Sequence, residues 1–105
     1  MRGTAIRGML GAVELTFSGP IWYWRGPAPY CFVTVPPDEA EVLADLAPTV
    51  TYGWGMIPVA VRIGGTSTTT SLWPKDGGYV VPIKAILRES ESLEVGDEVQ
   101  LTLRV

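Results

Sequence analysis

Two stretches decide the fold: "CFVTVPPDEAEVLADL", Cys31 to Leu46, and "GGYVVPIKAILRESESL", Gly77 to Leu93. Each runs from a short strand rich in β-branched and aromatic residues, through proline, into a helical pattern. In the first, Ala40, Val42, Leu43 and Leu46 fall on about one stripe, and Asp38 and Glu39 suit the positive end of a helix starting at the prolines. In the second, Pro82 suits the first helical position, which places Lys84 in the first turn, against the helix dipole. Matching Val35-Pro36 with Val81-Pro82 makes Lys84 the counterpart of Asp38, with the opposite sign of charge.

Strands flank both units. Val13, Leu15 and Phe17 alternate with Glu14, Thr16 and Ser18, the two-residue period of a strand with one buried face. "SGP" at Ser18 to Pro20 bends or bulges this strand, and "IWYWRG" carries it on to a turn at Gly26 to Pro29. After the first helix, a turn-rich aromatic segment from Pro48 to Pro58 leads into a strand with Val59, Val61 and Ile63 on one face. "TSTTTSLW" stays extended because β-branched threonine is stiff, and "PKDGG" closes a hairpin. Gly96-Asp97 forms a turn before Val99, Leu101, Leu103 and Val105, which alternate along the last strand. The chain is therefore β-β-α-β, twice over. Neither half buries its own sheet face alone, so the two combine into one mainly β, closed or nearly closed barrel capped by two short helices. The expected organisation is a flexible leader over 1–12 and a single barrel domain over 13–105.

Composition agrees with one globular core. The chain has 105 residues, 47% hydrophobic and 18% charged, with many turn formers in Gly 12 and Pro 9. The net charge is −3, and the eight cations are scattered as Arg2, Arg7, Arg25, Arg62, Lys75, Lys84, Arg88 and Arg104. No basic footprint for nucleic acid is visible, so no nucleic-acid partner is expected. With no histidine, the usual proton shuttle and commonest metal ligand are missing, and neither a metal nor a cofactor is expected. The single Cys31 cannot form an intrachain disulfide and reads as a buried core thiol. The N-terminal apolar run is too broken for a signal peptide, and no run reaches membrane-spanning length. The expectation is a cytoplasmic protein, monomeric or homodimeric, with no membrane partner.

At this point the motifs resemble a known family. "FSGPIWYWRGPAPYCFVTVP", "GWGMIPV" and the stretch from Val59 to Val105 are similar to the DUF1905 family of bacterial and archaeal proteins, a domain of unknown function. The matching positions are Trp24, Gly26, Phe32, Pro36, Gly53, Gly55, Pro58-Val59, Gly64, Thr70-Ser71-Leu72, Pro74, Tyr79, Pro82, Lys84 and Gly96-Asp97. The resemblance implies a small double-split β-barrel built from two β-β-α-β-like halves with two short helices. That architecture is related to the swapped-hairpin DNA-binding barrels of bacterial regulators. Some relatives carry a second domain resembling bacteriocin-protection proteins, which is not expected here. The chain departs from the pattern at Thr68 or Thr69, where an aromatic residue is expected, and at Trp73, where Phe is commoner, so a shared pocket would differ in shape.

The candidate site residues are Trp22, Trp24, Arg25, Tyr30, Trp73, Tyr79 and Lys84. Trp22 and Trp24 share one face of their strand and Tyr23 takes the other. Facing inward the tryptophans are core, and facing outward they form a patch that binds ligands or partners. Arg25 sits either over an aromatic face or in solvent. Thr66, Thr68 and Thr70 share a face and read as solvated strand threonines. Lys84, beside free N–H groups, reads either as an anion site or as a lysine stem lying over apolar surface. The catalytic residues are unknown. The favoured function is a small-molecule or protein-binding module with an aromatic pocket, taking a small apolar or anionic ligand with help from Arg25 and Lys84. The alternative is a cofactor-independent isomerase or cyclase that uses the barrel as an apolar chamber, with Lys84 or Tyr79 polarising the substrate. A DNA-binding regulator, by analogy of fold, is the weakest reading.

Overall fold

A computed structural model describes residues 13–26, 30–52 and 54–105. The expected leader over 1–12, the centre of the Gly26 to Pro29 turn and the motif glycine Gly53 lie outside the described residues. The elements are β1 (Glu14–Trp24), β2 (Tyr30–Thr34), α1 (Pro37–Val50), β3 (Ile57–Ile63), β4 (Thr66–Lys75), β5 (Gly78–Pro82), α2 (Ala85–Ser90) and β6 (Glu98–Arg104). The strands close into an antiparallel barrel in the order β1-β2-β5-β4-β3-β6. The β-β-α-β repeat is thus present, and the two halves interlock rather than sit side by side.

The two long strands make the closure. β1 pairs with β6 from Glu14 to Pro20 and then with β2 from Ile21 to Trp24. β4 pairs with β3 from Thr66 to Leu72 and then with β5 from Trp73 to Lys75. The "SGP" stretch bends β1 without a bulge, because the partner registers run on unbroken from Pro20↔Glu98 to Ile21↔Val33. Gly19 sits at this crossing, where a Cβ would lie 3.1 Å from Val33 Cγ1, so a side chain there would press on a fully buried neighbour. The β4–β5 hairpin turns on Asp76 and Gly77, both at positive φ (51° and 81°), as a two-residue turn matched to strand twist requires.

A two-fold relation runs through the registers. Val33 faces Val81 at the centre of the β2–β5 pair. Its mirror bonds are Val35 N–H to the Tyr79 carbonyl (3.0 Å) and Ile83 N–H to the Cys31 carbonyl (2.8 Å). Counting outward from the centre, Trp22 corresponds to Trp73, Phe32 to Val80, and Pro36 to Lys84. This corrects two expectations. Lys84 is the counterpart of Pro36 rather than of Asp38, and both residues are the N-caps of their helices, with extended backbones. Lys84 is therefore not in the first turn of α2, which starts at Ala85. The two prolines misled because Pro36 lies at a helix cap while Pro82 is still paired in β5, opposite Phe32.

The inward residues of every strand fill the barrel. Phe17, Ile21, Cys31, Val33, Leu72, Val81 and the alternating sets of β3 and β6 form one core, closed at its ends by Leu43 of α1 and Leu87 of α2. Each such burial contributes about 1.5–3 kcal/mol before chain entropy is subtracted. Cys31 is a buried free thiol, as its flanks suggested.

Helix α1 differs in detail from its expected stripe. Leu43 is its buried residue, with Ala40, Ala47 and Val50 packed against the core, whereas Val42 is 38% exposed. The helix also runs through Pro48 to Val50, where the proline forgoes one backbone bond. Thr66, Thr68 and Thr70 are half-buried rather than solvated, because they point to the inner side of β4, and Thr66 Oγ1 donates to Glu91 Oε2 at 2.7 Å. No helix among the described residues is long and apolar enough to cross a membrane.

Candidate functional site

Strand alternation makes the site. Because Ile21, Cys31, Val33 and Val81 point inward, the residues between them point out of the barrel wall. On the β1–β2–β5–β4 sheet these outward residues are Trp22 and Trp24, Tyr30 and Phe32, Val80, and Trp73, and register sets Trp22 against Phe32, Trp24 against Tyr30, and Trp73 against Val80. The tryptophans are therefore neither barrel core nor isolated surface residues. They form a second apolar layer on the outside of the sheet.

Phe32 is the hub of that layer. It is 1% exposed although it faces away from the main core, because four larger rings surround it. Its ring centroid lies 5.0 Å from Trp73, 5.2 Å from Trp22, 5.5 Å from Tyr30 and 6.4 Å from Trp24. These separations lie in the range where ring pairs attract beyond simple burial. Trp22 is held at one edge, where its indole N–H donates to Thr34 Oγ1 at 2.9 Å.

Trp24 and Trp73 meet edge-on, with centroids 6.3 Å apart and planes at 89°. Both rings border a recess, a slot of about 210 Å³, which Phe32, Val80, Pro74 and Lys75 also line. On the other side of Val80 lies a wider groove of about 520 Å³, walled by Pro37, Ala40, Glu41 and Ala44 of α1 and by the β4–β5 hairpin, with Trp22 and Thr34 in its floor. Lys75 and Val80 line both recesses, so the two share a rim. Lys75 makes a loose 3.5 Å contact with Asp76, whose side chain is 86% exposed, and so remains able to meet another anion.

The seven residues expected to share one site divide into separate places. Trp24 and Trp73 border the slot, Tyr30 stacks on Phe32, and Trp22 borders the groove. Arg25 is exposed just beyond the end of β1. Tyr79 is half-buried, packs against the main core and lines the α1 side of the groove. Lys84 belongs elsewhere: its Nζ donates to the Thr69 carbonyl at 2.7 Å, four residues along β4 from Trp73, or about 13 Å of strand. Phe32, Val80 and Lys75 were missed as site residues. Phe32 was singled out only as a family-matching position, and only its place between Cys31 and Val33 marked it as facing the other way.

The opposite sheet, β1–β6–β3–β4, is polar outside. Glu14 accepts from Arg104 through Nη2 (2.7 Å) and Nε (3.2 Å). That hydrogen bonding and the charge of Arg104, with a smaller push from Arg62, hold the Glu14 carboxyl below the usual carboxylate range. Asp97 accepts from the Glu94 N–H at 2.9 Å, which places it as a turn residue beside Gly96 at φ 97°.

These features define a small closed β-barrel domain with an aromatic cluster on its outer wall. The chain belongs to the DUF1905 family, a domain of unknown function, whose sequence profile matches residues 17–103. No curated protein gives a significant match to it.

Proposed function

We propose that this protein is a binding module that takes a flat apolar ring bearing an anionic group in the slot bordered by Trp24 and Trp73. The observation that carries this reading is an outward aromatic layer, centred on a fully covered Phe32, in which two tryptophans in edge-to-face contact border an open recess. At about 210 Å³ the slot is smaller than the roughly 300–1,000 Å³ of sites for drug-sized ligands, so it suits one small flat ring system. A larger ligand would extend past Val80 into the adjoining groove. The Lys75 ammonium at the shared rim favours a carboxylate over a cation, and the indole faces favour a planar partner.

Titration with 2-naphthoate, with neutral 2-naphthamide as the uncharged comparison, tests this by tryptophan fluorescence. Saturable quenching by naphthoate, weaker for naphthamide and lost in Trp73→Ala, is the expected result. Equal quenching of the wild-type and Trp73→Ala proteins, or no saturation in the millimolar range, would defeat the reading.

A further inference from the structure

We infer that the outer face of β3 and β6 carries a second site, independent of the aromatic slot, for a compact multivalent oxyanion of diphosphate type. The sequence hides this site because its cations lie on different elements. Strand pairing sets Arg62 against Thr102 and Arg104 against Ala60, which makes the two arginines diagonal neighbours about 7–8 Å apart on the same outward face. Lys84 reaches in from the cap of α2, anchored on the Thr69 carbonyl of β4.

The outward residues between these cations are small. Ala60, Ser67, Thr69 and Ser71 leave two shallow recesses of about 430 and 460 Å³, with Arg104 bordering both. The cations thus stand around depressions lined by hydroxyls rather than on a ridge. Against Arg62, Arg104 and Lys84, the side chains lining these recesses among the described residues include a single carboxylate, Glu14. Glu14 accepts its hydrogen bonds from Arg104 and is only a neighbour in the field of Arg62. The face therefore holds unbalanced positive charge on a chain whose net charge is −3. An oxyanion seated there would take donors from Arg62 and nearby hydroxyls and relieve the repulsion between the two guanidinium groups. The ion pair between Glu14 and Arg104 competes with such a ligand.

That competition supplies a test with opposite signs. Inorganic pyrophosphate is titrated into ¹⁵N-labelled protein at low ionic strength, following backbone amides. The expected result is saturable shifts at Ala60, Arg62, Ser67, Thr69 and Arg104, with Trp24, Phe32 and Trp73 unmoved, and weakening at physiological salt as screening grows. Arg62→Gln should weaken binding several-fold. Glu14→Gln should tighten it by about 1.5- to 5-fold, the factor an exposed ion pair is worth when it stops competing. Both positions are exposed, so both variants should keep the wild-type spectrum elsewhere. Shifts centred on another face, binding indifferent to Arg62→Gln, or weaker binding by Glu14→Gln would each overturn the proposal.

Discussion

Replacing Phe32 by alanine should destabilise this protein as a core substitution does, although Phe32 lies outside the barrel. The ring is 1% exposed and touches four others at centroid distances from 5.0 to 6.4 Å. Phe-to-Ala changes in closed cores cost about 3–5 kcal/mol. Here Trp24, itself 39% exposed, can sag into part of the void, so the lower end, about 3 kcal/mol, is expected. Against a total stability of about 5–15 kcal/mol that is a large loss, so Phe32→Leu serves as the gentler companion. Leucine keeps most of the apolar contact and loses the ring pairing, for a cost of about 1–2 kcal/mol. Urea unfolding followed by tryptophan fluorescence, with the denaturant slope checked for constancy, measures both values. A cost below about 1 kcal/mol for Phe32→Ala, as ordinary surface positions show, would refute the idea that the outer aromatic layer is a packed unit.

Other outcomes follow from the same geometry. Lys84→Met should cost about 0.5–1 kcal/mol, read as a shift in urea midpoint, since it removes one partly solvated hydrogen bond to the Thr69 carbonyl; an unchanged midpoint would mean that this bond holds nothing. Glu14 has a folded-state pKa below its ordinary 4.5, so its ion pair adds stability above about that pH and loses it as pH falls through the folded value. The stability gap between wild type and Glu14→Gln should accordingly be steady at neutral pH and shrink in acid, and a gap that widened in acid would reverse the argument. Gly77→Ala should cost about 1 kcal/mol through its φ of 81° alone, because a Cβ there meets nothing within 4 Å; a stabilised variant would show that the turn relaxes freely.

Much of the fold is legible in the sequence because period two and period 3.6 are local signals. The alternating sets around Phe17, Val61 and Leu101 specify strands, and a β-β-α-β unit with one apolar sheet face has little choice but to find a second. What local pattern could not settle was phase. "IWYW" is apolar on both sides, so alternation shows that Trp22 and Trp24 share a face but not which face. The missing information lay upstream: Phe17, Gly19 and Ile21 keep one unbroken inward phase through the bend, and that phase points Trp22 and Trp24 outward. Lys84 was misplaced for a related reason. Proline marks an approximate helix start, and a three-residue error turned a cap residue that reaches back to β4 into an unfavourable charge in a helix. The gathering of Arg62, Arg104 and Lys84 was invisible because it depends on the pairing of β3 with β6, which no local pattern records.

The central claim is that the working surface of this barrel is the outside of the β1–β2–β5–β4 sheet. The side-chain N–H signals of the four tryptophans test it most directly, since they report Trp22, Trp24, Trp54 and Trp73 separately. On titration with 2-naphthoate the Trp24 and Trp73 signals should move together along one saturating curve, while that of Trp54, 95% exposed on its loop, stays near its starting position. Movement confined to Trp54, or a curve in which Trp24 and Trp73 do not share one affinity, would contradict the account.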